Sequence, residues 1–357
     1  MRYPDPMVRN AELAEALFQL AESHPPGELR LGFLRAAYAV FDHPRELDGA
    51  RRLPDTVPLE ALPTVAMLRS CRTADALAAA TQRLAGPHRL HGSPAREGFL
   101  SAAAVEAVLA SAATPSVGRL RGAVHWHTRA SDVAVGLETM ARACQRRGAA
   151  WAVVADHTRG LACVNGLDGE GIELQRRAVA AWNRRRGDEL RLVQGLEAEI
   201  LDDGSLDLPR SARDGVLLLA AVHTGLGERR DQTGRLVRAI AEPGVWALAH
   251  PQGRLFARRP GIRANWEVVF AAAAAAGVLV EVNGFPRRQD LDPTLVGLAC
   301  AAGCRFVLAS DAHHPRHLGF EAVALALAAS GGAPEAAVVN FEPLDHIASG
   351  RPDLALP

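Results

Sequence analysis

The sequence predicts an α/β barrel preceded by a small all-α domain, and three observations carry that reading. From Gly122 onward, short apolar runs alternate with helical segments. Before about Ala95 the pattern is helical only, with no strand signal. The histidines and acids of the second part fall at the ends of its apolar runs. Those runs are GAVHWH, WAVVAD, RLVQGLEAEI, VLLLAAVH, VWALAH, VLVEVNG and FVLASD, seven in all. They are rich in Val, Leu and Ala and bounded by polar or glycine-rich turns. Such runs read as strands buried on both faces, and alternation with helices reads as a parallel barrel. A regular eight-stranded barrel would need one more.

Taken in order, Asn10 is placed to cap a helix with Leu13, Leu17 and Leu20 on one face. A second helix is expected over Leu29 to Phe41, and LEALPTVAMLRSC and TADALAAATQRLAG suggest two more. Residues 1–95 thus read as a helical domain. Residues 96–120 read as a short helix (FLSAAAVEAVLAS) and a linker (ATPSVGR), and 121–357 as the barrel. The apolar stretch from Val268 to Val282 is interrupted by Gly277 and Glu281. It reads as helix, turn and buried strand, not as a membrane span.

The chain has 357 residues, 48% of them hydrophobic, enough for a sizeable core. Its formal net charge of zero argues against a general polyanion-binding surface. Every basic residue is arginine. The absence of lysine excludes Schiff-base, pyridoxal-attachment and phosphate-loop lysines, so phosphate charge falls to arginine, backbone N–H or metal. Five cysteines (Cys71, Cys144, Cys163, Cys300, Cys304) show no zinc-finger spacing. Cys300 and Cys304 are expected on one helix face as packing residues. The set predicts a reducing compartment without disulfides. MRYPDPMVRNAEL has no apolar signal segment, so a cytoplasmic location is expected, and nothing fixes an oligomeric state.

The first run ends in His125 and His127, and the second in Asp156 and His157. Glu197, followed by Glu199, lies near the end of the third. The fourth ends at His223, the fifth at His250, the sixth at Asn283, and the seventh at Asp311 with His313 beyond. In an α/β barrel the carboxyl ends of all strands open on one face, so these residues converge. A His-x-His pair on a strand points both rings the same way. Imidazole and carboxylate are ligands of zinc, manganese and iron. With Asp132, the set has nine candidates, more than one ion can use. His24, His43, His88, His91 and His346 lie outside the pattern; His314 and His317 are near it without an assigned role.

HWHTRASD, VVADHT, GLEAEILDDGSLDLP, AAVHTG, LAHPQGRLF, EVNGFPRRQDL and LASDAHH resemble the polymerase-and-histidinol-phosphatase (PHP) family. The similarity is to the PHP domain at the end of bacterial family X DNA polymerases and to shorter proteins carrying that domain alone. It runs from about Gly122 to Asn340 and fills each ligand position in order. The resemblance implies a distorted seven-stranded (β/α)7 barrel with three divalent ions (Mn, Zn or Fe). His125, His127, Glu197 and Asp311 would hold the first. Glu197, His223 and His250 would hold the second, with Glu197 bridging, and Asp132, His157 and His313 the third. RNAELAEALFQLAE, FLRAAYAVFDHPREL and LEALPTVAMLRS resemble the amino-terminal helix-hairpin-helix region of the same polymerases. The hairpin glycines are missing at Pro63-Thr64-Val65-Ala66. The nucleotidyltransferase core is missing too, so the chain is not expected to polymerise. Ala123 stands where the family often has aspartate, and Val133 where it has glycine.

The expected function is metal-dependent hydrolysis of a phosphoester, the ions lowering the pKa of a bridging water to give metal-bound hydroxide. Glu197 and Asp311 are the central carboxylates. Arg254 in HPQGR is the candidate phosphate clamp, with Arg287 and Arg288 as weaker candidates. Asp156 is expected to orient a ligand or cap a helix. The substrate would be a phosphorylated small molecule or a nucleic-acid end. Alternatives are a 3′–5′ exonuclease or phosphodiesterase on DNA ends, and a non-catalytic DNA-repair adaptor.

Overall fold

The computed structural model describes residues 9–47, 52–160 and 165–347. Cys163 lies outside them. The chain divides into two compact units, Met1–Ser111 and Ala112–Pro357.

The first unit is helical: α1 (Asn10–Ser23), α2 (Glu28–Phe41), α3 (Leu62–Arg69), α4 (Ala74–Ala85) and α5 (Ala102–Leu109). Leu13, Leu17 and Leu20 are buried, as their spacing predicts. Asn10 does not cap α1. It sits inside the helix, and its amide is drawn off by the 43–47 segment, donating to the Arg45 carbonyl at 2.9 Å and accepting from the Leu47 N–H at 2.9 Å. Thr73 and Ser101 do cap, each accepting a backbone N–H three residues on. Arg96 is buried, bridges Glu15 (2.6 Å) and Glu22 (2.7 Å) on α1, and lies over the Phe18 ring. Pro63–Ala66 forms the start of α3.

The second unit is a closed, all-parallel barrel of seven strands in sequence order: β1 (Gly122–Trp126), β2 (Trp151–His157), β3 (Arg191–Glu199), β4 (Leu217–Ala221), β5 (Val245–Leu248), β6 (Leu279–Asn283) and β7 (Phe306–Ala312). Connecting helices are α6 (Leu137–Arg146), α7 (Gly169–Arg186), α8 (Thr233–Ile240), α9 (Trp266–Ala276) and α10 (Pro293–Ala301), with α11 (Glu321–Ser330) after β7. Gly277 ends α9 in the left-handed region at φ 64°, the conformation glycine takes at no steric cost.

Side-chain alternation divides the strands into two sets. Val153 and Ala155 of β2, Val193 of β3, and Leu217, Leu219 and Ala221 of β4 pack inside the barrel. Ala152, Val154 and Leu192 face outward against Met140, Cys144, Val179 and Trp182 of α6 and α7. The segment after α11 closes the base. Val339 and Ile347 join the inner core, and the indole N–H groups of Trp151 and Trp246 donate to the carbonyls of Glu342 and Ile347. Asn340 pins the seam between β1 and β7. Its amide donates to the Gly122 and Leu308 carbonyls and accepts from the Leu308 N–H.

Cys304 is not on the helix with Cys300. α10 ends at Ala301, and Cys304 is buried in the following turn with its thiol near the Phe270 carbonyl.

Glu321 opens α11 with its carboxyl buried. Oε1 has no hydrogen-bond partner among the described residues, and burial raises the pKa from 4.5 to about 8. The folded protein keeps a proton that the unfolded chain releases above about pH 4.5, so stability falls as pH rises from there to about 8. Glu321→Gln is expected to remove that slope and raise the melting temperature at pH 9. At 1.36 kcal/mol per pKa unit the gain is at most about 5 kcal/mol. Equal pH dependence of thermal unfolding in variant and parent would contradict this.

Candidate metal centre

The nine sequence-nominated residues come together at the carboxyl ends of the strands. Four groups of them place one donor atom each within 4.8 Å of the others: His127, Asp132, His157 and His313; His125, Glu197 and His250; His125, His127 and Asp311; and His157, Glu197 and His223. His125, His127, Glu197, His250 and Asp311 are buried, the Asp132 carboxylate is mostly covered, and His313 is half-buried.

Glu197 is the hub. Alternation along β3 turns it inward, and its neighbours come from four other strands. Oε2 lies 3.2 Å from His125 Nε2 and 3.0 Å from His157 Nδ1; Oε1 lies 3.2 Å from His223 Nε2 and 2.8 Å from His250 Nε2. Asp311 Oδ1 is 3.2 Å from His127 Nε2. Asp132 Oδ2 is 3.1 Å from His313 Nε2 and 3.6 Å from His157 Nε2.

Both rings of the His-x-His pair reach this pocket, but not by plain alternation. Val124 faces inward and Trp126 outward. Between them His125 takes φ 59°, and the β1–β7 register shifts there. His250 (φ 27°) and Asp311 (φ 49°) are left-handed too. Each such backbone costs a non-glycine residue on the order of 1–2 kcal/mol, and such strain gathers at functional sites.

Three residues outside the nine candidates orient members of that set. Glu281 Oε2 lies 2.7 Å from His125 Nδ1, and its Oε1 accepts the His250 N–H at 3.1 Å. Glu199 Oε2 lies 2.7 Å from His223 Nδ1. A carboxylate only accepts, so Nδ1 of both rings carries a proton, which leaves Nε2, facing Glu197, as the nitrogen a metal ion would take. Asp156 faces outward and holds the loop that presents Asp132. It accepts from the Thr128 N–H (2.6 Å), the Thr128 and Ser131 hydroxyls, and the Gln175 amide (2.9 Å). It therefore orients the loop that carries Asp132. The signal for Glu281 was an acid in an otherwise apolar strand.

Burial is the largest single influence on Glu197 and favours its neutral form. The imidazoles of His157, His125 and His223 outweigh it and hold the carboxyl well below its usual range. Asp311 is held down likewise, by Arg288 first. His157 is pushed down to about 4 by burial. Burial opposes charge on His223 and His313, but neighbouring carboxylates raise both to about 9.

Arg254 is buried, with Nη1 3.4 Å from Asp292 Oδ2. The contact with a central carboxylate belongs to Arg288, whose Nε donates to Asp311 Oδ2 at 2.9 Å.

The donor set fits divalent metal. His125 Nε2, His127 Nδ1 and Glu197 Oε2 are buried without a hydrogen-bond partner among the described residues. Orphaned buried acceptors cost about 1–3 kcal/mol each. Imidazole nitrogens and carboxylate oxygens are the ligands that zinc and related ions take.

No family model matches the sequence. Over 200 residues it is 30% identical to the DNA polymerase/3′-5′ exonuclease PolX of Bacillus subtilis, covering 56% of this chain and 35% of that protein. Over 161 residues it is 29% identical to a probable phosphatase of Caldanaerobacter subterraneus, covering 42% of this chain and 61% of the relative. A structure of histidinol phosphate phosphatase from Lactococcus lactis, complexed with zinc, L-histidinol and phosphate, covers 59% of this chain and 94% of its own at 11% identity and a TM-score of 0.42. This chain is thus similar to a polymerase/exonuclease and to a probable phosphatase. It spans less than two thirds of either curated relative. Among the described residues no helix is long and apolar enough to cross a membrane.

Proposed function

We propose that the protein is a metal-dependent phosphoester hydrolase. The observation that carries this is the Glu197 carboxylate, buried and met at 2.8–3.2 Å by imidazoles from four other strands. In this reading His125, His127 and Asp311 would hold one ion, His223 and His250, each within 3.2 Å of Glu197, would hold a second with Glu197 shared between these two, and Asp132, His157 and His313 would hold a third. Divalent ions held there would neutralise phosphoryl oxygens and lower the pKa of a bound water.

The remaining chemistry belongs to side chains. Glu281 and Glu199 keep Nδ1 of His125 and His223 protonated, so Nε2 stays a donor. Asp156 fixes the loop carrying Asp132. Arg288 is partly exposed beside Asp311 and takes the phosphate-clamp role first expected of Arg254. Arg254, paired with Asp292, holds the wall next to it.

The substrate reading that ranks first is a phosphomonoester of a small molecule, in line with the probable phosphatase among the relatives. A 3′–5′ exonuclease or phosphodiesterase ranks second, and the relationship to PolX favours it specifically. Purified protein, metal-depleted and then reloaded with manganese or zinc, is assayed on p-nitrophenyl phosphate, bis-p-nitrophenyl phosphate and single-stranded DNA. Chelation is expected to abolish turnover and metal to restore it, with the monoester fastest. Metal-loaded protein inert on all three would overturn the reading; a preference for the diester and DNA would select the exonuclease.

A further inference from the structure

Every crossover between successive strands carries an α-helix except β3–β4, residues 200–216, which has only a 3-10 turn at Arg210–Ala212. The outer face of β3 packs on α7, but no crossover helix lies between β3 and β4. A cavity of about 320 Å³ opens there beside α7, lined by Arg176, Val179, Asn183, Arg184, Arg191 and Gln194.

Gln194 is the floor. Alternation turns it outward, away from the pocket that Glu197 enters. Its Nε2 donates to the Ile172 carbonyl (2.8 Å) and to Gln175 Oε1 (3.0 Å). Gln175 is itself fixed, because its Nε2 donates to Asp156. Both Gln194 amide hydrogens are thus used and the amide cannot flip. Oε1 is left buried with no partner among the described residues, although buried amide oxygens are normally paired. The neighbouring Asn183 amide is held by the Leu192 backbone, donating to its carbonyl and accepting from its N–H. At the rim Arg176 is engaged with Glu173 and the Asp214 carbonyl. Arg184 and Arg191 make no ion pair among the described residues. One wall, Val179 and Ala180, is apolar.

Uncommitted guanidinium groups and an apolar wall lining one cavity match an anion with an apolar body. We propose that this cavity is a second binding site, separate from the metal centre, for a small organic anion of nucleotide size. Its acidic group meets Arg184 and Arg191. Its apolar body lies on Val179 and Ala180.

Adenosine 5′-monophosphate is the probe, titrated against metal-loaded full-length protein, with adenosine and inorganic phosphate as its two halves. The nucleotide is expected to bind more tightly than either half. Arg184→Glu combined with Arg191→Glu, the first exposed and the second half-buried, should weaken it by roughly tenfold or more, as loss of charge-assisted hydrogen bonds implies. Metal content and p-nitrophenyl phosphate hydrolysis should not change. Asp311→Ala protein, damaged at the metal centre, should keep the cavity binding, which separates this site from the hydrolase reading. No nucleotide binding at millimolar concentration would overturn the proposal. So would undiminished binding in the double arginine variant, or binding lost only with Asp311→Ala.

Discussion

Glu197→Gln protein is expected to fold normally, to be purified with less metal, and to lose about a thousandfold or more in phosphoester hydrolysis. The side chains are nearly isosteric, so packing barely changes. The charge and one acceptor oxygen go. Four imidazole nitrogens lie within 3.2 Å of this carboxylate, two on each oxygen. An amide offers a metal ion only a neutral oxygen, and its NH₂ cannot ligate. If ions sit on both sides of Glu197, the substitution strips a shared ligand from each. Metal contributes several kcal/mol of charge stabilisation in such sites, and each 1.36 kcal/mol is tenfold in rate. The checks are metal analysis of the purified protein, circular dichroism and turnover of p-nitrophenyl phosphate. Normal metal content with near-parental activity would remove Glu197 from the centre of the site.

The strands and their order were legible because burial on both faces leaves little room for anything but Val, Leu and Ala, and the polar exceptions fall at one end. Period-two alternation was enough to place Glu197 inside. It was not enough at His125, where the turn of the backbone depends on pairing with β7, a partner some 180 residues away in sequence. Asn10 misled for the opposite reason: its local cap preference was real, but the 43–47 segment offered its amide better-placed partners. The choice of arginine also turned on tertiary geometry. Arg254 follows β5 and Arg288 follows β6, and only packing decides that one faces Asp292 and the other Asp311. Glu281 was hidden because an acid in an apolar strand reads as an interruption until its two histidine partners are known.

That carboxylate gives the second large effect. Glu281→Ala is expected to weaken metal binding by about 10–100-fold, the usual cost of losing the group behind a ligating histidine. The informative variant is Glu281→Gln. A merely structural role would be rescued by glutamine, which keeps the shape and can still accept the His250 N–H at Oε1. The other oxygen, 2.7 Å from His125 Nδ1, becomes an NH₂. A donor there forces the His125 proton onto Nε2, the nitrogen facing Glu197, and a protonated Nε2 cannot ligate. Gln is therefore expected to do no better than Ala in metal affinity, measured by competition with a chelator, while its melting temperature without metal stays closer to the parent. Rescue of metal affinity by Gln would show that Glu281 supports the fold alone. Failure of rescue would show that it sets which nitrogen of His125 points into the centre.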